Sequence, residues 1–488
     1  MEMPIEQKKA TPKVERKKGG FRTMPFIIGY DFELVLANET FEKVANVGLH
    51  VNMILYLLRE YNFDPATAAI IVFLWNAMSN FIPMFGAFLS DSWLGRFRVI
   101  ALGTIIDLVG LVVLWLTAII RRARPECHNE EACAKPTSFQ LLFLFSALAL
   151  MALGAGGIRP FAQVIAAAWK NRHLSLPPTN SDAWYFHNDS ILVQPTNKVR
   201  FLNKACILKN KEKDLDSDGM PTDPWSMCTV RQVEELKAII KVLPIWSTGI
   251  IFATTISQQS FSVVQAGTMN REVFHMDIPS TNFSACIILT LTIWVAIYDR
   301  ILLPLFPKGR GLSVKQRLGF GIAISCLATA VAAWVERKRR DEAIREGFID
   351  NPKGVVNMSA VWLVPQYCLY GLAEGLNIIG QIEFYYSQFP KAMSSIAVSL
   401  CTFGIGVGNL VGSLIVKVVK DGTGKGGKAS WLASNINMGH YDYYYALLLV
   451  LNLANLLCFL AFSVAYGSTQ DIKNWDQDFT SEQEIDDK

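Results

Sequence analysis

Three charged side chains with the spacing of one helical face lie in the first long apolar segment. Glu39, Glu42 and Lys43 occupy positions i, i+3 and i+4 of NETFEKVANVG, so a helix projects them from the same side. An ionised group at mid-membrane costs about 2.5–3.5 kcal/mol on insertion scales unless it pairs or lines a wet cavity. Two carboxylates beside one ammonium keep one ion pair and leave one proton to exchange. The pattern predicts a proton relay; the alternative is a group of surface residues that caps the span.

Two further charges stand alone in apolar surroundings. Arg159 follows GAGG, and Glu374 lies within LYGLAEGLNIIG. A buried Arg and a buried Glu, one in each predicted bundle, favour an ion pair that forms in one conformation and breaks in another. Separate local partners are the alternative. Glu383, near the cytoplasmic end of its span, and Asp107 are weaker candidates for a functional charge.

A motif of small and charged residues, GAFLSDSWLGRFR, occupies the loop between the second and third apolar segments. Gly86 and Gly95 allow close approach of helices, and Asp91 with Arg96 could latch neighbouring helix ends when the cytoplasmic side closes. An ordinary polar loop is the alternative.

The elements that position these residues are membrane spans. The 488 residues are 51% hydrophobic and only 18% charged, with a mean hydropathy of +0.27, which is too apolar for a soluble domain. The apolar residues fall into blocks of about 20, the length that crosses a hydrocarbon core. Ten spans are predicted, near residues 37–58, 66–89, 99–120, 139–169, 239–264, 278–298, 318–335, 359–389, 392–416 and 443–466.

Charge distribution orients these spans. Seven Lys and Arg residues between Lys8 and Arg22 place the N-terminus in the cytoplasm by the positive-inside rule. The basic runs 121–124 and 337–340 then fall outside, against that rule. The predicted organisation is a basic N-terminus with an atypical insertion (1–36), a four-span bundle (37–169), a cytoplasmic linker (170–236), a six-span bundle (237–467) and an acidic cytoplasmic tail (468–488).

Several function classes are disfavoured. The net charge of +4 gives no electrostatic argument for a nucleic-acid partner. Nine cysteines without a CxxC pair suggest no metal site, although Cys127 and Cys133 share one loop and leave a local disulfide open. No constellation of nucleophile, metal ligands or nucleotide-binding loop emerges, so the sequence predicts no enzyme.

Taken together, the motifs resemble the plant nitrate and peptide transporter family, a branch of the proton-coupled oligopeptide transporters in the major facilitator superfamily. ETFEK is similar to that family's Glu-x-x-Glu-Arg/Lys motif, GAFLSDSWLGRFR to its facilitator loop and GAGGIRP to its fourth-span motif. Segments such as WLVPQYCLYGLAE and EFYYSQFPKAMSS resemble later spans. The resemblance implies an all-α membrane protein with the major facilitator fold.

That resemblance also implies roles for particular residues. Glu39, Glu42 and Lys43 would couple protons, and Arg159 would pair with Glu374. The substrate cavity would contain Thr255, at a position where a nitrate carrier of the family has His, and Gln366. The family usually has Arg in the first span and Lys in the fourth, so the two cations are exchanged here; an Arg keeps its charge but cannot be deprotonated.

Two departures from the family pattern stand out. GGIRP runs directly into FAQVIAAAWKNRHLSLP, which resembles the start of the family's central linker. The end of the fourth span and all of spans five and six are therefore expected to be absent, giving about ten helices instead of twelve. In addition, Gly29–Leu36 has no family counterpart and would shift the first span by about 12 Å of helix rise.

The sequence thus predicts a proton-coupled symporter that moves nitrate or another small anionic, peptide-like or hormone-like solute by alternating access. It needs no cofactor beyond the proton gradient, and its partners are the solute, protons and the lipid bilayer. The plasma membrane is favoured over the vacuolar membrane. A solute sensor that does not transport, or an inactive truncated isoform, is the alternative.

Overall fold

A computed structural model gives the fold of the protein, which divides into two units, Met1–His50 and Val51–Lys488. In the first unit it describes only residues 48–49, which are helical. In the second unit it describes residues 52–81, 96–125, 127–129, 132–133, 136–152, 167–173, 185–186, 195–196, 199–208, 227–273, 275–305, 311–352, 354–389, 394–425 and 429–466.

Helices dominate the described chain, as the long apolar blocks predict. Residues 52–60 are helical, and the longer helices are α1 (Pro65–Phe81), α2 (Arg96–Ile119), α3 (Ser138–Ala152), α4 (Val230–Ser257), α5 (Ser260–Gly267), α6 (Ala285–Ile297), α7 (Val314–Arg345), α8 (Val364–Gln388), α9 (Ser394–Thr423) and α10 (Tyr441–Ala465). The N-termini of α4 and α7 are each closed by a capping box, Thr229 with Gln232 and Ser313 with Gln316.

Short elements connect the helices. Short 3₁₀ helices occupy Arg121–Ala123, Arg200–Cys206, Ser280–Ser284 and Ala360–Leu363. A π-helical turn, Tyr298–Leu302, and a short helix, Leu303–Leu305, follow α6. The strands are β1 (Cys127–Asn129), β2 (Ala132–Cys133), β3 (Met269–Asn270), β4 (Glu272–Val273), β5 (Met276–Asp277) and β6 (Val356–Ser359). β1 pairs with β2 and β4 with β5, both antiparallel, whereas β3 pairs in parallel with β6.

Five segments of the described chain are long and apolar enough to cross a membrane: Val230–Gly267, Ser280–Leu302, Val314–Arg345, Ala397–Thr423 and Tyr441–Ala465. Three shorter apolar helices are Pro65–Phe81, Ile105–Ile119 and Ser138–Ala152. α8 has 25 residues, enough to cross a hydrocarbon core, but its polar side chains make it less apolar than these five segments. A long polar helix among apolar ones is the first structural indication of a functional site.

The helices from α4 onward pack into one body. α7 packs against α8 and α10, α6 against α8, and α9 against α4. Their common core is apolar and includes Val242, Phe252, Ile322, Phe384 and Phe459. At the other end of the chain α2 packs against α3, while α1 makes its main contact with α9. α1 therefore connects the first helices to this body.

Part of the predicted linker folds onto α4. α4 begins at Val230, inside the stretch 170–236 that was expected to be linker. A small apolar cluster joins the described parts of this stretch to α4 and includes Leu202, Cys206, Cys228 and Val233. Polar composition concealed these few apolar residues, because they are spread thinly along the sequence.

Two helices differ in extent from the predicted spans. The span predicted over 239–264 is broken at Gln258 and Gln259 into α4 and α5. The span predicted over 318–335 is the 32-residue α7, about 48 Å long at 1.5 Å per residue. α7 therefore includes the basic run 337–340, which was expected to be a loop.

Several sequence predictions lie outside the described residues: Glu39, Glu42, Lys43, Gly86, Asp91, Gly95, Arg159 and the insertion Gly29–Leu36. Arg96 is the first residue of α2. The roles proposed for these residues, the count of ten spans and the loss of spans five and six remain predictions.

Candidate functional site

A polar stripe runs along α8. Residues three and four apart project from one face of a helix, and on α8 that face is polar over nearly its full length. Within the stripe Gln381 Nε2 donates to Asn377 Oδ1 at 2.6 Å, and the Tyr385 hydroxyl donates to Gln381 Oε1 at 3.0 Å. The members of the stripe are Gln366, Tyr367, Tyr370, Glu374, Asn377, Gln381, Tyr385 and Gln388.

Glu374 is the ionisable member of this stripe and lies near the middle of α8. Its Oε1 accepts a hydrogen bond from Gln259 Nε2 at 3.5 Å, and the carboxylate has no ion-pair partner among the residues described. Gln259 is neutral, so it orients the carboxylate without compensating its charge. Glu374 therefore has the features of a group that can gain and lose a proton: a membrane interior, a neutral partner and no described cation.

The break between α4 and α5 positions Gln259. The sequence SQQS interrupts an apolar run there, and the two glutamines bond to different helices. Gln258 Oε1 accepts from the Tyr444 hydroxyl of α10 at 2.6 Å, whereas Gln259 donates to Glu374 of α8. Broken helices are a common way for carriers to expose polar groups at membrane depth.

One turn further along α5, Ser262 joins three helices. Its hydroxyl accepts from Gln366 Nε2 at 3.0 Å and lies 3.3 Å from the Tyr445 hydroxyl of α10. Gln366 Oε1 and both amide atoms of Gln265 are buried and have no hydrogen-bond partner among the described residues. This part of the site is neutral, polar and sealed by the surrounding helices.

The structure does not bring the two predicted cavity residues into contact. Thr255 is buried, and its hydroxyl donates to the carbonyl of Ile251 in its own helix at 3.0 Å. Gln366 is also buried and donates to Ser262. Gln366 therefore belongs to the polar network of α8, while Thr255 is bonded to the backbone of α4.

Glu383 and Arg317 form an ion pair at the end of α8 opposite Gln366. Glu383 therefore has a local structural partner. Glu374 is the carboxylate of the polar stripe at mid-helix. The predicted partner of Glu374, Arg159, lies outside the described residues.

Sequence reasoning missed Gln259, Ser262 and Tyr445. None of these residues carries a charge, so a search for intramembrane charges passes over them. The polar run SQQS in the middle of an apolar segment was the available signal, because four successive small or amide side chains weaken an apolar helix at that point.

A search against protein-family models matches residues 161–432 to PTR2, the POT family. A curated relative from Arabidopsis thaliana, Protein NRT1/PTR FAMILY 1.2, is 39% identical over 96% of this chain and 94% of its own length. That alignment extends over 579 residues, more than the 488 of this chain, so part of the relative faces gaps.

Solved structures show the same fold. The POT family transporter PepTSo aligns with a TM-score of 0.58 at 16% identity, covering 91% of this chain and 99% of that one. A POT family transporter in complex with 5-aminolevulinic acid aligns with a TM-score of 0.53 at 13% identity, covering 87% and 94%. These structures confirm the predicted fold, and the match to the POT family together with the curated transporter relatives confirms that the protein is not an enzyme. This chain is an integral membrane transporter that belongs to the POT family and, within it, to the NRT1/PTR family.

Proposed function

We propose that this transporter is a proton-coupled symporter that moves nitrate or another small anionic or peptide-like solute by alternating access. The observation that carries the proposal is Glu374, a carboxylate at mid-helix in α8 whose described partner is the neutral Gln259. A carboxylate in that setting can take up and release a proton, whereas one paired with a permanent cation stays ionised. Glu39, Glu42 and Lys43 are the further proton-coupling residues of the proposal, and Arg159 is the partner that Glu374 takes in one conformation.

The solute class rests on the neighbourhood of Glu374 and on the relatives. The described polar groups near Glu374 are amides and hydroxyls, which suit a polar solute of modest size. A structural relative binds 5-aminolevulinic acid, which carries both an amine and a carboxylate. Thr255 has no charge with which to bind an anion, whereas a charged or titratable residue at this position would bind one directly. A solute with its own hydrogen-bonding groups therefore fits this chain well. We place the protein in the plasma membrane with both termini in the cytoplasm.

Uptake by oocytes at acidic external pH tests the proposal, with Glu374→Gln as the central variant. One proton carried per solute raises the accumulation ratio up to about tenfold per pH unit, because one unit is worth about 1.4 kcal/mol. Glu374→Gln is expected to abolish this dependence on external acidity. Glu342→Gln removes a carboxylate that pairs with the exposed Arg345, and it should leave the dependence intact. Acid-stimulated uptake that survives Glu374→Gln would remove Glu374 from the coupling mechanism.

A second candidate function has its own support. The gaps in the alignment to the Arabidopsis relative are those expected of a chain that lacks internal residues. Such a chain could bind solute without moving it, as a sensor or an inactive isoform. Solute binding by purified protein, together with no flux in proteoliposomes, would favour this function over transport.

A further inference from the structure

α1 and α9 run antiparallel and stay in contact from one end to the other. At one end Lys420 Nζ lies 2.7 Å from Asp64 Oδ2. At the other end the rings of Phe81 and Phe403 are 5.3 Å apart. These two contacts are separated by about 25 Å of helix at 1.5 Å per residue. α1 lies in the predicted first bundle and α9 in the predicted second, so this is a contact between bundles.

Close packing holds the two helices together at the aromatic end. A Cβ atom added at Gly406 of α9 would lie 2.8 Å from Phe81 and 3.2 Å from the Ala77 carbonyl oxygen of α1. The helices therefore approach as closely as a glycine allows, and a larger residue would push them apart. Phe403 also stacks on Trp246 of α4 with ring centroids 5.8 Å apart. The aromatic end is thus anchored in the second bundle.

The ion pair at the other end is built into the start of α1. Asp64 caps that helix: its carboxylate accepts from Thr67 N at 3.1 Å and from the Thr67 hydroxyl at 2.6 Å. Lys420 Nζ also lies 3.1 Å from the Thr67 hydroxyl. The side chains of Asp64 and Lys420 are 24% and 33% exposed, so water shields the pair only in part. Charge-assisted bonds in such a place are stronger than those of a freely exposed pair.

We propose that Asp64 and Lys420 form a gate latch that closes the transporter at this end and breaks whenever the substrate cavity opens there. The inference rests on the proposed alternating access, in which one bundle rocks against the other. A contact between bundles along two whole helices cannot persist in both states of such a cycle. The latch is the polar, reversible end of the contact, and the aromatic end is the pivot. In the topology predicted from charge distribution, the latch faces outside.

A neighbouring ion pair provides a matched control. Arg124, which follows α2, pairs with Glu60 close to Asp64 in sequence. Both of its residues lie in the predicted first bundle, and the hydroxyl of Tyr61 donates to the carbonyl of Ala123 in the same place at 3.2 Å. Rocking of one bundle against the other leaves this pair together. The Glu60–Arg124 pair is therefore an ion pair close to the latch that should not break when the bundles move.

The test measures opening to the outside directly. A Thr255→Cys reporter is labelled in intact oocytes by a membrane-impermeant thiol reagent, and labelling of the protein without the reporter is subtracted. Lys420→Met and Asp64→Asn are expected to raise the labelling rate at least about threefold, because they remove an attraction made only in the closed state. Glu60→Gln and Arg124→Met should leave the rate unchanged.

The exchanged pair, Asp64→Lys with Lys420→Asp, is expected to return labelling toward the original rate. An unchanged rate in Lys420→Met, or equal increases in the latch and control variants, would overturn the proposal. Labelling reports opening even in a protein that does not transport. Failure of proton-coupled uptake alone would therefore count against the proposed function and not against the latch.

Discussion

At the scale of single residues, Arg339 is a fully buried charge held by an ion pair and hydrogen bonds. Its guanidinium makes two bonds to Glu336, at 2.8 and 2.9 Å, and one to Asn437 at 2.6 Å. Neither Arg339 nor Glu336 is exposed at all. Replacing Arg339 by Met strands the carboxylate in the interior, which should cost about 3–5 kcal/mol of unfolding free energy. Denaturant titration of the purified protein in detergent measures this loss.

Two variants separate the charge effect from a general weakening of α7. Arg345 pairs with Glu342 on the same helix but is 75% exposed, so Arg345→Met should change stability by less than about 0.5 kcal/mol. The double change Glu336→Met with Arg339→Met removes both charges and should recover much of the loss. A double variant as unstable as Arg339→Met alone would show that the stranded charge is not the cause.

Asp64 illustrates a titratable group whose charge should be constant over the working range. Burial opposes its ionisation, but hydrogen bonds from Lys420 and Thr67 outweigh that effect, so the pKa of Asp64 is lowered. A lowered pKa means that the stabilising contribution is complete above about pH 3.9 and disappears only as the pH falls through the folded-state pKa. Lys420 and Tyr441 are the other ionisable groups that interact with Asp64.

The effect of the latch should therefore not vary with external pH. The rate of reporter labelling in Asp64→Asn is divided by the rate in the protein that keeps Asp64. This ratio is expected to be the same at pH 5.5 and 7.5. Taking the ratio cancels the effect of pH on the thiol reagent. A ratio that falls toward one at pH 5.5 would mean that Asp64 takes up a proton in this range and belongs to the coupling machinery.

These residues also show what one sequence can reveal about a site. Glu374 could be picked out because a lone carboxylate in an apolar run violates the usual composition of a span. Gln259 could not, because a neutral amide at a helix break carries no such penalty. Asp64 and Lys420 are separated by hundreds of residues, and each looks like an ordinary polar residue at a helix end. Only the antiparallel register of α1 and α9 joins them.

At the scale of elements, α9 depends on glycines where it crosses its neighbours. A Cβ atom added at Gly408 would lie 2.7 Å from Ala253 Cβ and 2.8 Å from the Ile250 carbonyl oxygen of α4. The Ala253 Cβ and the Ile250 carbonyl oxygen are fixed to the backbone of α4, so an added methyl group fits only if one helix is displaced. Gly408→Ala should therefore reduce the unfolding free energy by about 1–3 kcal/mol. The same denaturant titration measures it.

The matched change at the end of the same helix should have the opposite sign. Gly422 has no atom within 4 Å of an added Cβ, so Gly422→Ala meets open space. An alanine restricts the unfolded chain and favours helix, which should add about 0.4–1 kcal/mol. Equal effects of the two substitutions would mean that helix propensity and not packing decides the stability of α9.

Helix positions were largely predictable because the period of apolar residues and the length of each block are both encoded locally. The residues at which helices begin and end were less predictable. α7 extends past Val335 through a charged sequence because Arg339 pairs with Glu336 and also donates to Asn437 and Thr268 on distant segments. α4 and α5 divide at two glutamines that are held by α8 and α10. In both cases tertiary contacts override the local hydropathy.

At the scale of the whole molecule, the first helices present a long apolar face. Exposed apolar residues recur every three or four positions along α2, which places them on one side of the helix: Leu102, Ile105, Leu108, Val112, Trp115 and Ile119. In a membrane such a face meets lipid or another helix. The sequence also predicts that spans five and six are absent between Pro160 and Phe161, a junction that lies outside the described residues.

A chimera tests whether this absence limits transport. The segment of the Arabidopsis relative that corresponds to the predicted missing spans can be inserted between Pro160 and Phe161. A second chimera carries Glu374→Gln as the control. If missing helices leave the cavity wall open, the insertion should raise acid-stimulated uptake several-fold, and Glu374→Gln should remove the gain. The same insertion should raise the midpoint of thermal unfolding in detergent, since helix packing in membranes depends on close contact between neighbours. Equal uptake with and without the segment, at equal surface expression, would show that the shorter bundle is a complete carrier.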